Sequence, residues 1–151
     1  MREEETGLMR HALELAACAG SAGDVPVGAV ITDAEGEILA QAFNTREQDL
    51  NPVGHAEVNA IIAAAAELKT WNLTGCTLVV TLEPCTMCAG AILNSRISRV
   101  IFGAWEPKTG AAGSIRDVLR DPRLPHQVEV IGGVLEVECA ELVQSWFQDR
   151  R

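Results

Sequence analysis

Two short segments carry residue types that do chemistry in combination: His55-Ala56-Glu57 and, about thirty residues later, Pro84-Cys85-Thr86-Met87-Cys88. One imidazole and two thiols make three zinc donors. A zinc ion held by three protein ligands keeps its fourth tetrahedral position for water, whereas a structural zinc is closed by four. The i,i+3 spacing of Cys85 and Cys88 puts both sulfurs on one face of a helix, within reach of a single metal at about 2.3 Å from each sulfur. Pro84 suits the first helical turn, where a missing N–H leaves nothing unpaired. Both segments are therefore predicted to open helices, whose positive ends favour thiolate over thiol. Glu57 lies two residues from His55 and so points in a different direction, which places it beside the open position rather than in it. Zinc lowers the pKa of water there to roughly 7, and a neighbouring carboxylate can take the proton and later return it to substrate. The chemistry implied is hydrolysis, with His55, Cys85 and Cys88 as ligands and Glu57 as proton carrier.

A Cys-x-x-Cys alone also occurs in structural zinc sites and redox motifs. A structural zinc would need a fourth ligand, and His11 and His126 are distant in sequence while Cys76 falls at the far end of its own strand. Cys18, Cys76 and Cys139 lie in apolar stretches and read as small buried hydrophobes. Five cysteines, two of them at metal spacing, argue against a disulfide framework and for a reducing compartment.

The 151 residues suffice for one domain with a substantial core, residues 1–151, and 48% hydrophobic content excludes a disordered chain. No apolar run approaches the roughly 20 residues that span a bilayer, and the acidic start Arg2-Glu3-Glu4-Glu5 does not read as a secretion signal. No membrane association and a cytoplasmic location are the resulting expectations. The net charge of −9 discourages bulk nucleic-acid binding, but it is unevenly spread. Residues 1–57 hold three arginines against eleven acidic groups, whereas residues 96–123 hold six basic groups against three acidic ones. A phosphate backbone should approach the later half, because phosphate contacts require local positive charge.

Around the two chemical segments the periodicities predict the elements that must position them. Leu8 to Ala17 gives a helical stripe ending near Gly20 and Gly23; Val27–Thr32 and Glu37–Phe43 read as strands around the turn Asp33-Ala34-Glu35-Gly36. A polar loop, Asn44 to Gly54, leads into the helix at His55, which is apolar enough to predict burial on more than one side, against a sheet or a partner chain. Cys76–Leu82 is a continuously apolar strand suited to a central position. Arg99–Ala104 and Val128–Ile131 are further strands, with a glycine-rich loop and a short helix over Ser114–Leu119 between them, and Val137–Phe147 is a last helix. The alternation predicts a three-layer α/β/α sandwich with a mixed five-stranded sheet, parallel in its second half.

The paired His-x-Glu and Pro-Cys-x-x-Cys segments are a signature of zinc nucleobase deaminases. Over nearly its whole length the chain resembles the bacterial tRNA-specific adenosine deaminases, within the cytidine deaminase superfamily. The resemblance rests on Asp24 to Val30, on His55-Ala56-Glu57, on Thr81 to Ala91, and on Lys108-Thr109-Gly110-Ala111-Ala112-Gly113-Ser114, which is similar to the loop marking the tRNA-acting branch. It implies hydrolysis of the wobble adenosine of a tRNA anticodon to inosine, by a homodimer of cytidine deaminase-like fold with one zinc per subunit. By the same likeness His55, Cys85 and Cys88 bind zinc and Glu57 shuttles the proton, Asn44 hydrogen-bonds the base, and Val27 and the Ala56 backbone line its pocket. The anticodon stem-loop is then the macromolecular partner. Two stretches depart from the family pattern: Trp105-Glu106-Pro107 ahead of Lys108, and Gln148-Asp149 between the Trp146-Phe147 pair and Arg150-Arg151. Trp105 is open to two readings, stacking on an unpaired base or packing against a dimer partner. The competing functions are a free nucleobase or nucleoside deaminase acting on guanine or cytosine, and a zinc-stabilised binding protein without activity.

Overall fold

Alternation along the strands decides the layers of this molecule, whose computed structural model describes residues 2–150; Met1 and Arg151 lie outside them. In β1 (Gly28–Thr32), Ala29 and Ile31 join one apolar cluster while Val30 joins another. In β3 (Thr77–Leu82), Leu78 and Val80 take the first side and Val79 the second, all three without exposed surface. A strand apolar on both faces requires helices on both faces. The first face is covered by α2 (Ala56–Leu68) and α3 (Thr86–Asn94), which contribute Ala56, Ala60, Ala64, Ala89 and Ile92. The second is covered by α1 (Arg2–Ser21) and α4 (Glu136–Gln148), which contribute Met9, Ala12 and Cys139. Between β1 and α1 the approach is close: a Cβ on Gly28 would lie 2.0 Å from the Ala12 carbonyl oxygen, so only glycine fits.

The sheet runs β2-β1-β3-β4-β5, with β2 at Ile38–Phe43, β4 at Arg99–Ala104 and β5 at Glu129–Ile131. β1 is antiparallel to both β2 and β3, whereas β3, β4 and β5 run parallel. This is the mixed five-stranded α/β/α sandwich that the sequence predicts. The pairing changes sense at β3. Such a switch leaves a crevice at the carboxyl ends of the parallel strands, and both chemical segments arrive there, one at the start of α2 and one directly after β3.

Three expectations are corrected. No helix forms over Ser114–Leu119; the segment is a series of turns with a bridge between Ala112 and Asp117. Pro84 precedes α3 rather than occupying its first turn, because the helix begins one residue after Cys85. Cys18 is exposed, unlike the buried Cys76 and Cys139. Within the chain α2 is buried along Ala56, Glu57, Ala60 and Ala64 against the sheet, and Ile62 on its other side is 64% exposed, the side left for the partner chain that the sequence allows.

Candidate metal centre

His55 and Cys85 occupy equivalent places: each is the N-cap of its helix, in extended conformation, and neither side chain caps the backbone. Their carbonyls accept the first helical bonds, from the N–H groups of Asn59 at 3.0 Å and Ala89 at 2.8 Å. The side chains that would ordinarily bond to free N–H groups instead face each other. His55 Nδ1 lies 3.6 Å from Cys85 Sγ and 3.4 Å from Cys88 Sγ. A tetrahedral zinc with bonds of about 2.0–2.1 Å to nitrogen and 2.3 Å to sulfur would separate those atoms by about 3.6 Å. The donor set therefore fits zinc in both chemistry and spacing. All three donor atoms lie within 4.8 Å of one another, and among the described residues no fourth joins them. Three donors are the complement of a catalytic rather than a structural zinc.

The groups polarise one another. Hydrogen bonding from Cys88, reinforced by His55, lowers the Cys85 thiol to about 4, so it is a thiolate at neutral pH. The Cys85 thiolate in turn raises His55, and together with burial it raises Cys88. Glu57 is 4% exposed, and its burial raises the carboxyl to about 7. That value places it where a group both takes and gives a proton near neutrality.

His55, Glu57 and Cys85 line a cavity of about 300 Å³ together with Asp24, Val25, Val27, Asn44, Arg46, Glu47, Leu82, Glu83 and Thr109. Val27 and Asn44 thus stand in the lining. Ala56 does not: it is fully buried, and its N–H is spent on Asn44 Oδ1 at 2.8 Å. Asn44 keeps its amide Nδ2 as a donor. His11 and His126 are remote from the centre, bonded to Gln41 and to the Ile97 carbonyl respectively.

Two residues of this cavity escape a reading of the sequence for metal donors. Asp24, 1% exposed, accepts the N–H groups of Glu47 at 2.8 Å and Gln48 at 3.1 Å, fixing the loop that follows Asn44. Glu83, 2% exposed, accepts the N–H groups of Glu106, Ala112 and Ser114 at 2.9, 3.0 and 3.0 Å, and the Ser114 hydroxyl as well. Burial pushes the Glu83 carboxyl up, but these four donors outweigh it and hold it below its ordinary value. The sequence signals for them were an acidic residue set against an apolar strand and their places in the segments Asp24 to Val30 and Thr81 to Ala91, neither of which reveals the N–H groups they accept.

A second groove of about 430 Å³ adjoins the cavity, sharing Leu82 and Thr109, and is lined by Trp105, Lys108, Val143, Gln144 and Phe147 among others. Trp105 packs edge-on against Phe102 and donates its Nε1–H to Glu136 at 3.1 Å, so the chain's own core and α4 hold it. Glu106 accepts the Lys108 N–H at 2.9 Å and so closes the turn it belongs to. At the end of α4 the Arg150 guanidinium lies 3.9 Å from the Trp146 ring centre.

A three-donor zinc centre beside a buried carboxylate, at the switch point of this mixed sheet, defines a class: the zinc-dependent deaminases. The family model of the cytidine and deoxycytidylate deaminase zinc-binding region matches residues 2–104. The tRNA-specific adenosine deaminase of Bacillus subtilis (strain 168) is 46% identical over 143 residues, covering 95% of this chain and 88% of its own. That of Haemophilus influenzae is 45% identical over 149 residues, covering 99% and 86%. A solved structure from studies of A-to-I editing by tRNA:A34 deaminases at the wobble position superposes with a TM-score of 0.86 at 39% identity, covering 91% of this chain and 99% of that one. The guanine deaminase from Nitrosomonas europaea superposes at 0.80 with 23% identity, covering 93% and 83%, a likeness of fold alone. The chain belongs to the tRNA-specific adenosine deaminase family, within the cytidine and deoxycytidylate deaminases.

Proposed function

We propose that this protein hydrolyses adenosine to inosine at the wobble position of a tRNA anticodon, releasing ammonia. The observation that carries the chemistry is the convergence of His55, Cys85 and Cys88 beside buried Glu57. His55 Nδ1 and the two sulfurs hold zinc, which when bound acts as a Lewis acid and makes water available as a nucleophile near neutral pH. Glu57 takes the proton released by that water. That proton passes to the ring nitrogen beside the attacked carbon; Glu57 then takes the proton of the hydroxyl newly added to that carbon and hands it to the amino group, which departs as ammonia as the C=O forms. Four acidic residues line the cavity, and only Glu57 suits this proton transfer, because Asp24 and Glu83 are occupied by backbone N–H groups and Glu47 is exposed. Asn44 offers Nδ2 to the base, Val27 packs against it, and Ala56 supports Asn44 from behind. A buried amide partner of this kind discriminates strongly, because a base that leaves it unpaired is rejected.

The target base must leave its stack to enter such a cavity, which favours a single-stranded loop. Of the six basic residues between 96 and 123, Arg99, Arg120 and Arg123 are engaged in ion pairs and Arg96 lies over the Trp71 ring, whereas Lys108 and Arg116 have no ion pair among the described residues. Lys108 and Arg46, at the rims of the groove and cavity, are therefore available to the phosphate backbone. Homodimerisation belongs to the same reading and is supported by the exposed Ile62 of α2 and by Leu68 and Trp71 beyond it; light scattering of the purified protein tests it. A cytoplasmic location follows from a tRNA substrate, and among the described residues no helix is long and apolar enough to cross a membrane.

The decisive experiment incubates the zinc-loaded protein with an anticodon stem-loop bearing a wobble adenosine, and in parallel with adenosine, cytidine, guanine and cytosine. Inosine is expected in the RNA, with no turnover of the small molecules. Deamination of guanine or cytosine without reaction of the RNA would reverse the proposal.

A further inference from the structure

The residue immediately before Pro84 is bonded as though the adjoining loop had been folded around it. Glu83 ends the β3 side of the crevice two positions before the ligand Cys85, and its carboxylate is enclosed by segment 106–114. Oε1 receives the Glu106 N–H and the Ser114 hydroxyl; Oε2 receives the Ala112 and Ser114 N–H groups. The packing leaves no spare room: a Cβ on Gly110 would lie 2.3 Å from the Glu83 carboxyl carbon. Neighbouring backbone joins in, with the Ala111 N–H bonding the Pro84 carbonyl at 2.8 Å and Cys85 bridging to Gly110. These bonds take the N–H groups of Ala112 and Ser114, and the rest of the segment folds back on the Gly110 and Ala111 carbonyls. Because the Val118 N–H goes to the Ala111 carbonyl rather than to that of Ser114, and the Ile115 and Arg116 N–H groups both go to Gly110, Ser114–Leu119 makes turns instead of a helix.

The loop so held is the one that faces substrate. Thr109 reaches the catalytic cavity, and Trp105 to Thr109 wall the adjoining groove. One short stretch of chain therefore carries a zinc donor at Cys85 and, through Glu83, grips the wall that an RNA loop would meet. A loop without regular structure has no hydrogen-bond ladder of its own to fix its distance from the metal, and four charge-assisted bonds to one buried carboxylate supply it. We propose that Glu83 is a positioning residue for the RNA substrate, setting the 105–114 loop at a fixed distance from the centre so that bound RNA presents its base to the ligands and Glu57. This rests on the tRNA reading for the substrate, though not for the clamp itself.

Glu83→Gln is close to isosteric but turns an acceptor oxygen into an NH₂ donor facing N–H groups, so at least one backbone bond is lost and the remainder lose their charge assistance. Expected is a rise in KM for the stem-loop of about 10- to 100-fold with kcat within about threefold of wild type, and zinc still bound at one per chain. Glu83→Asp, which keeps the charge on a shorter arm, should fall between wild type and Glu83→Gln. Ser114→Ala, which removes one donor, should raise KM by about two- to fivefold; where Glu83→Gln yields no folded protein, this variant carries the same test. Amide exchange supplies a readout independent of substrate: the N–H groups of Glu106, Ala112 and Ser114 are slow to exchange in wild type and should become fast in Glu83→Gln. KM unchanged, or kcat lost at constant KM, in a zinc-replete variant would overturn the proposal, and so would continued protection of the three amides. If wild type fails to act on the stem-loop while the amides behave as stated, the substrate reading has failed and the clamp has not.

Discussion

The two sides of the catalytic cavity are built on different principles. The metal side uses two helix starts, at His55 and Cys85, where regular backbone aims side chains at a common point and the chemistry lies in the side chains. The substrate side is loop on both flanks, residues 44–55 and 105–114, and each flank is pinned by one buried carboxylate, Asp24 or Glu83, that accepts backbone N–H groups. A helix carries its own hydrogen bonds and needs little help to hold a ligand in place. These loops have only scattered turn bonds, such as Thr45 N–H to the Gly54 carbonyl and Gly110 N–H to the Glu106 carbonyl, and an unpaired N–H in a buried position costs about 1–3 kcal/mol, so a buried carboxylate that collects the remaining N–H groups contributes strongly to the shape of the wall. The difference separates two kinds of residue: those whose loss abolishes chemistry and those whose loss blurs recognition.

That division can be broken from either side. The largest effect is expected from Cys88→Ser, which removes a donor: zinc content should fall well below one per chain and turnover by at least about a thousandfold, measured by metal analysis and inosine formation. Retention of both would place the centre elsewhere. Next comes Glu57→Ala, expected to lower kcat by about 10²- to 10⁴-fold while zinc stays bound, because the side chain moves a proton and is not a donor; surviving activity would remove Glu57 from its role. On the loop side, Asp24→Asn keeps the shape but loses an acceptor and the charge. The cost is about 1.5–3 kcal/mol, seen as a ten- to hundredfold fall in kcat/KM with zinc intact and faster exchange at the Glu47 and Gln48 amides. A zinc-free Asp24→Asn protein would erase the distinction between the two sides. Smallest is Trp105→Phe, which keeps an aromatic edge on Phe102 but gives up the bond to Glu136. Thermal unfolding should register a loss of about 0.5–1.5 kcal/mol with kcat unchanged.

Much of the metal side was legible in the chain because its signals are local. His55, Glu57, Cys85 and Cys88 sit within two short segments, and the apolar runs that carry them to the crevice have strand and helix periods. The loop side was legible only as polar and glycine-rich. Even the predicted helix at Ser114–Leu119 was a fair reading of local propensity that loop packing overrode: the N–H groups of Ile115, Arg116 and Val118 fold back on the Gly110 and Ala111 carbonyls, in a segment whose Ala112 and Ser114 N–H groups are held by Glu83, 29 and 31 positions away. Ala56 shows the same limit. Nothing near it in sequence reveals that its N–H belongs to Asn44, 12 residues earlier, which turns a lining residue into a support.

The sequence by itself determined the candidate donor set, the carboxylate beside it, the five strands and the three-layer sandwich, since each follows from residue type and short-range period. Only the tertiary structure decided which faces of α2 stay open, how the two walls are held, and that Asp24 and Glu83 serve as anchors. Those outcomes depend on hydrogen bonds between groups far apart along the chain, whose meeting is fixed by the packed sheet and by the requirement that buried N–H groups find acceptors.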